Sequence, residues 1–209
     1  MKLTLYYSPG ACSLASHIAL EESGLPYEAV RISTAAGEQK QPAYLAINPR
    51  GKVPTLMVDG KRLVENAAIL TFIAGGHPQA GLWPKTTWEQ AQAVSWMAYL
   101  AGTVHPTYSR FFRPERFVPE GAPVDAVKAK GGEQYWDCLV EIDGLLAGKK
   151  WAMGKQFTVV DPYLLVMYRW ANRNAMPVTK LAHYTALIQR VLARPAVKKV
   201  MADEGITMS

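Results

Sequence analysis

Asn48-Pro49-Arg50-Gly51-Lys52-Val53-Pro54-Thr55-Leu56-Met57-Val58-Asp59-Gly60-Lys61-Arg62-Leu63-Val64-Glu65-Asn66-Ala67-Ala68-Ile69-Leu70 reads as a loop, a hairpin and the start of a helix. Thr55 to Val58 and Arg62 to Val64 are short β-prone runs, and Asp59-Gly60 between them is a strong hairpin signal. Pro54 cannot donate to a strand ladder, so it belongs at the first residue of its strand, where a cis X-Pro bond would sit. Val53 is then left with its N–H and C=O free for an extended ligand. Where hairpin meets helix, Glu65 and Asn66 offer polar side chains and the first N–H groups of the helix lack intrahelical partners. A peptide-like anion fits such a corner.

Upstream, Leu3 to Tyr7 is β-prone and Ser8-Pro9-Gly10 breaks it. A helical pattern follows from Ser13 to Ser23, with Gly24 as its C-terminal stop, and Tyr27 to Ile32 reads as a second strand. The β-α-β unit implies a parallel pair with a right-handed crossover. Downstream, the Gly- and Pro-rich run from Gly75 to Pro84 ends the region in which strands appear. The expected division is a first domain over residues 1–76, a linker over 77–86 and an all-helical domain over 87–209. Helices are expected over Thr87 to Arg110, kinked by Pro106, and over Asp125 to Leu146, Val159 to Ala171, Leu181 to Leu192 and Ala196 to Ala202. Thr158-Val159-Val160-Asp161 has the form of a capping box, with Asp in place of the usual Glu or Gln.

The 209 residues, 49% hydrophobic and 19% charged, describe a globular chain able to bury a sizeable core. The net charge of +6 is spread along the sequence, with basic pairs only at Lys61-Arg62, Lys149-Lys150 and Lys198-Lys199. A solvated surface fits this better than a nucleic-acid partner. No secretory leader and no membrane span are expected, no metal-ligand spacing is present, and two distant cysteines are not a disulfide framework, which suits a reducing cytoplasm.

Cys12 stands between a strand end with a Pro-Gly turn and a helix start, where the helix dipole and free N–H groups favour a thiolate. The competing reading is a small buried hydrophobe. With Ala15 three residues on, no C-x-x-C dithiol is available. Cys138, beside Trp136 and Leu139, reads as core packing.

Val53-Pro54, the hairpin and Glu65-Asn66-Ala67-Ala68-Ile69 together resemble the glutathione-binding core of glutathione S-transferases, and Tyr7-Ser8-Pro9-Gly10-Ala11-Cys12-Ser13 narrows the resemblance to the bacterial beta class. It implies an α/β thioredoxin-like N-terminal domain of β-α-β-α-β-β-α order, followed by an all-α domain. It also implies conjugation of reduced glutathione to small hydrophobic electrophiles, with glutathione as co-substrate, no cofactor and a homodimeric assembly. The glutathione contacts it implies are Cys12, Val53, Pro54, Glu65, Asn66, Thr103 and His105, with Cys12 and His105 catalytic. The electrophile would lie against Tyr108, Phe111, Phe112 and Trp170. Ser8, Ser13 and Tyr7 are alternative hydroxyl partners for the thiol.

The chain departs from the family pattern in three places. Ala35-Ala36-Gly37-Glu38 stands where relatives often carry a lysine for the glycyl carboxylate, Ala98 where they often carry Asn, and Pro106 where a lysine often follows the histidine. Lys40, Arg31 or the second subunit are the expected substitutes for the carboxylate contact. Two other readings remain open from sequence: glutathione-dependent thiol-disulfide exchange through a Cys12 mixed disulfide, and a non-catalytic binder of hydrophobic ligands.

Overall fold

In the computed structural model, which describes residues 1–208, β1 (Leu3–Tyr7) buries every second side chain, Leu3, Leu5 and Tyr7. That alternation marks a strand packed on one face. β1 pairs in parallel with β2 (Glu28–Arg31) and antiparallel with β3 (Thr55–Val58), which pairs antiparallel with β4 (Lys61–Val64), giving the order β2-β1-β3-β4. Asp59 and Gly60 both take positive φ, 48° and 80°, so the hairpin turn has the primed geometry that matches strand twist. The α/β thioredoxin-like expectation for the N-terminal region and the all-α expectation for the remainder both hold.

Helix α1 (Ser13–Ser23) ends at Gly24 in the left-handed conformation, as the sequence predicts. It packs with α3 (Asn66–Gly75) on the buried face of the sheet. The short α2 (Pro42–Ile47) sends Tyr44 to the other face, edge-on to Tyr6 at 5.9 Å between ring centroids. After α3 the segment 77–86 docks, burying Leu82 and Pro84, and the Leu82 carbonyl accepts the Val159 N–H at 3.2 Å.

The helical part comprises α4 (Thr87–Tyr99), α5 (His105–Phe112), α6 (Asp125–Leu145), α7 (Val160–Arg173), α8 (Ala182–Leu192) and α9 (Pro195–Glu204). The expected single helix over Thr87 to Arg110 is instead α4 and α5 joined by a π-helical turn, Leu100–Val104, in which the His105 N–H reaches the Leu100 carbonyl. The wider turn makes room for the ring of Pro106, which would otherwise crowd the carbonyl four residues earlier. α5 and α6 meet closely because Gly131 has no side chain: a Cβ there would lie 2.6 Å from the Phe111 backbone nitrogen.

Residues 160–171 of α7 are all buried, so α7 is the central helix, apolar almost all round, and α1 packs on it and on α9. The expected capping box at its start is only half formed. The Asp161 carboxylate does accept the Thr158 N–H at 2.7 Å, but the Thr158 hydroxyl faces the Val160 N–H, and the Asp161 N–H goes to the Thr158 carbonyl. The second carboxylate oxygen accepts the Ala152 N–H at 2.8 Å, tying down the preceding loop instead.

Candidate active site

The turn after β1 is built around Gly10. Its φ is +67°, and a Cβ would stand 2.6 Å from Arg169 Nη1, so both backbone and space demand glycine. Trp170 Nε1 donates to the Gly10 carbonyl at 2.9 Å, with Arg169 Nη1 at 3.4 Å. On the other side the Gly10 N–H donates to Glu204 at 2.8 Å, and the second oxygen of this carboxylate meets His17 Nδ1 at 2.9 Å. Two helices of the helical part, α7 and α9, thus clamp the peptide that leads into Cys12.

Cys12 is half-buried at the N-terminus of α1, its thiol donating to the Val53 carbonyl at 3.5 Å. Burial pushes the thiol up to about 12, and the N–H groups of Cys12 and Ser13 offset this only in part. The expected thiolate is therefore a neutral thiol at neutral pH, because desolvation outweighs the helix terminus. The alternative hydroxyls are committed or turned inward. Ser13 bonds both the N–H and the carbonyl of Ser8, the Ser8 hydroxyl meets Thr34 at 2.9 Å, and Tyr7 is buried against His17.

The second wall is the stretch around Val53. Tyr44 Oη and Asn48 Nδ2 both donate to the Lys52 carbonyl, at 2.7 and 2.9 Å, and Val53-Pro54 is cis, as expected. The carbonyl of Val53 is not free as anticipated, since the Cys12 thiol already points at it; the Val53 N–H has no acceptor among the described residues. Lys40 approaches this loop, its Nζ 3.1 Å from where a Gly51 Cβ would be.

Glu65, at φ +69°, caps α3 with its carboxylate exposed and bound by Arg50 Nη1 at 2.6 Å. The side chain of Asn66 is not available to a ligand, contrary to expectation. It is buried, with Nδ2 donating to the Cys12 carbonyl at 2.7 Å and Oδ1 accepting from Ser16 at 2.5 Å. What this corner offers is the Glu65 carboxylate and the unpaired N–H groups of the first turn of α3.

His105 opens α5, half-buried, its ring edge-on to Trp170 at 4.8 Å. Burial, assisted by the Lys52 charge, holds its pKa down at about 4, so the imidazole is neutral at neutral pH and resists protonation. Trp170 stacks on Tyr108 at 4.4 Å and Tyr108 on Phe112 at 5.3 Å, forming an apolar wall that continues from His105. Phe111 does not belong to it, because its ring lies over Gly132 of α6. Thr103, exposed in the π turn, lines a groove of about 370 Å³ shared with Arg110, Asp137 and Cys138, and that lining includes neither Cys12, Val53 nor Glu65.

The structure therefore brings together Cys12, Val53 and the N-terminus of α3, which Asn66 ties to the Cys12 carbonyl, while His105 stands against Trp170, the donor to the Gly10 carbonyl. One neighbour escaped the sequence reading: Tyr163 comes from buried α7, and its hydroxyl is made less acidic by burial and by Cys12. Among the described residues no helix is long and apolar enough to cross a membrane, and no group of three or more His, Cys, Asp or Glu is placed to hold a metal.

A thioredoxin-like sheet with a thiol at the first helix, a cis X-Pro turn facing it and an open helix N-terminus beside it defines a thiol-ligand enzyme class. Residues 1–75 match the N-terminal domain of glutathione S-transferases. A glutathione S-transferase of Xanthomonas campestris is 35% identical over 205 residues, covering 98% of this chain and 100% of the relative. A glutathione transferase homologue from Sulfitobacter, solved with bound glutathione, superposes with a TM-score of 0.92 at 35% identity and covers 99% of each chain. The bacterial beta class enzyme of Sphingomonas chungbukensis superposes with a TM-score of 0.87 at 34% identity, covering 98% of this chain and 100% of that one. The chain belongs to the glutathione S-transferase family.

Proposed function

We propose that the protein conjugates reduced glutathione to small hydrophobic electrophiles. The observation that carries this reading is the meeting of the Cys12 thiol, the Val53 turn and the N-terminus of α3 on one side with His105 and its apolar wall on the other. The Val53 N–H pairs with the cysteinyl part of the tripeptide. The first turn of α3 receives the γ-glutamyl carboxylate, and Glu65, held by Arg50, its amine. Glutathione then needs no cofactor. Its thiol loses a proton to solvent, a ring N–H of the neutral His105 can donate to the thiolate, the sulfur attacks the electrophilic carbon, a C–S bond forms and the leaving group departs with its electron pair. As a neutral thiol, Cys12 serves as a hydrogen-bond donor to that thiolate once its one S–H turns from the Val53 carbonyl. The electrophile rests on Tyr108, Phe112 and Trp170.

The division at 1–76, 77–86 and 87–209 follows as a glutathione-binding domain, a docked linker and the domain carrying the electrophile site. A cytoplasmic homodimer is part of the same reading. Ala68, Ala91 and Ala98 are exposed on α3 and α4, where small residues permit close helix approach, and Thr103 then serves a site completed at the subunit interface. Thiol-disulfide exchange is the weaker reading, since a buried thiol near 12 is a poor attacking group at neutral pH.

Calorimetric titration with glutathione beside turnover of a chloronitrobenzene-type electrophile tests the function, and both are expected. Binding without turnover would leave a ligand binder, and turnover only of glutathione mixed disulfides would leave an exchange enzyme. Light scattering at micromolar concentration should report twice the 23.0 kDa chain mass, and a fully active monomer would remove the shared site.

A further inference from the structure

We propose that the hollow between α1, the edge strand β2 and α9, floored by Tyr7 and His17 and rimmed by Glu21 and Asp203, is a second ligand site that takes a primary alkylammonium ion. It does not depend on the glutathione reading. The hollow has a volume of about 480 Å³, and its lining includes none of Cys12, Val53, Glu65 or His105. Tyr7 is only 7% exposed. Its hydroxyl, offered by the sequence as a partner for the thiol, has no hydrogen-bond partner among the described residues, yet it is not sealed in, and Tyr7 lines this hollow. A buried phenol is ordinarily hydrogen-bonded, so this one calls for a polar group from outside the chain.

The chemistry of the lining selects a cation. His17, 2% exposed, donates from Nδ1 to the Glu204 carboxylate at 2.9 Å, which leaves Nε2 of the neutral ring as an acceptor. The rings of Tyr7 and Tyr27 flank that imidazole, at 4.8 and 5.7 Å between centroids. The carboxylates of Glu21 and Asp203 share one ammonium, Lys199 Nζ, at 3.0 Å each, and Glu21 also accepts the Tyr27 hydroxyl at 2.9 Å. With Glu204 this makes three carboxylates against Lys199 and, beside Tyr7 in the sheet, Arg31. Burial and then the Glu204 charge make the Tyr7 hydroxyl less acidic, and Glu204 outweighs Arg31 there. The hollow is thus locally negative in a chain of net charge +6. An ammonium finds two acceptors, Tyr7 Oη and His17 Nε2, with aromatic faces beside them, and a short alkyl tail rests on Leu25, Pro26 and Ala29. An anion would be repelled by the same carboxylates. Through His17 and Glu204 the site stands two hydrogen bonds from the Gly10 N–H, behind the turn that enters Cys12.

The test titrates n-butylammonium chloride into the isotopically labelled full chain at about pH 7.5, where the amine stays charged, and follows backbone amide shifts by NMR, with n-butanol and sodium chloride as controls. Saturable shifts in the millimolar range are expected at Tyr7, His17 and Gly10, and the controls should leave those resonances unmoved. Tyr7→Phe removes only a hydroxyl that pairs with nothing in the fold, so it should melt like wild type and weaken binding about tenfold or more, as a hydrogen bond to a charged group is lost. Asp203→Asn should weaken binding about two- to fivefold. No saturable shift in wild type, n-butanol bound as tightly as the amine, or undiminished binding in Tyr7→Phe overturns the proposal and leaves the hydroxyl to solvent. Should Tyr7→Phe not fold, undiminished binding in Asp203→Asn overturns it equally. Glutathione turnover in the same samples bears on the conjugation reading alone, so either can fail without the other.

Discussion

Replacing Glu204 with Ala should destabilise the fold and unseat the turn that carries Cys12. The carboxylate is buried and accepts two hydrogen bonds, from the Gly10 N–H at 2.8 Å and from His17 at 2.9 Å. Alanine leaves both of those buried groups without a partner, at about 1 to 3 kcal/mol each, or roughly 2 to 6 kcal/mol in all before relaxation. For a chain of this size that corresponds to a fall in melting temperature of about 4 to 24 °C. Gln is the informative companion: its carbonyl oxygen can keep the Gly10 N–H, and its amide can donate to Nδ1 of the other imidazole tautomer. Its cost should stay near 1 kcal/mol. Thermal unfolding followed by circular dichroism reads both variants, and glutathione turnover per folded molecule reads the seating of the turn. An Ala variant within about 0.5 kcal/mol of wild type, or a Gln variant as unstable as Ala, would refute the reasoning.

Asp161→Ala should cost about 2 to 6 kcal/mol in chemical unfolding, more than a helix cap alone, because the N–H groups of both Ala152 and Thr158 lose their acceptor; activity per folded molecule should hold. Cys12→Ala should abolish reduction of glutathione mixed disulfides but slow conjugation only about tenfold or less, as one hydrogen bond to the thiolate is lost; loss of conjugation by several orders of magnitude would make Cys12 a direct participant. His105, at about 4 in the folded protein against an ordinary value near 6.5, binds a proton more tightly when unfolded. Its contribution to stability is therefore full above about pH 6.5 and lost as pH falls toward 4, and His105→Gln should flatten that part of the stability profile measured by urea unfolding.

Much of the fold was legible because its signals are local. The Asp59-Gly60 turn, the Gly24 stop and the alternation in β1 each act within a few residues, and they set the order of strands and helices. One local signal was overlooked: Thr86 and Glu89 form a complete capping box at the start of α4, while Thr158 and Asp161, which have the same spacing, form half of one. The difference is that Asp161 spends its second oxygen on Ala152, a loop partner no spacing rule describes. The candidate site was legible in its residue types and not in their states. Helix position argues for a Cys12 thiolate, but burial, set by the packing of distant elements, decides against it. Asn66 has the right address, yet Ser16 and the Cys12 carbonyl occupy it. The π turn before His105 follows from Pro106 only once the helix is known to continue through it.

The tie between Gly10 and Glu204 spans 194 positions of sequence. A ribosome releases the Cys12 turn early and its clamp late: the Trp170 and Arg169 donors emerge after most of the chain, and the Glu204 acceptor later still. During synthesis the thioredoxin-like sheet can form while its reactive corner stays unseated, so a nascent chain that has already paired its strands does not yet hold the Cys12 turn in its working geometry. The last helix of the chain, α9, supplies the final hydrogen bond to that turn.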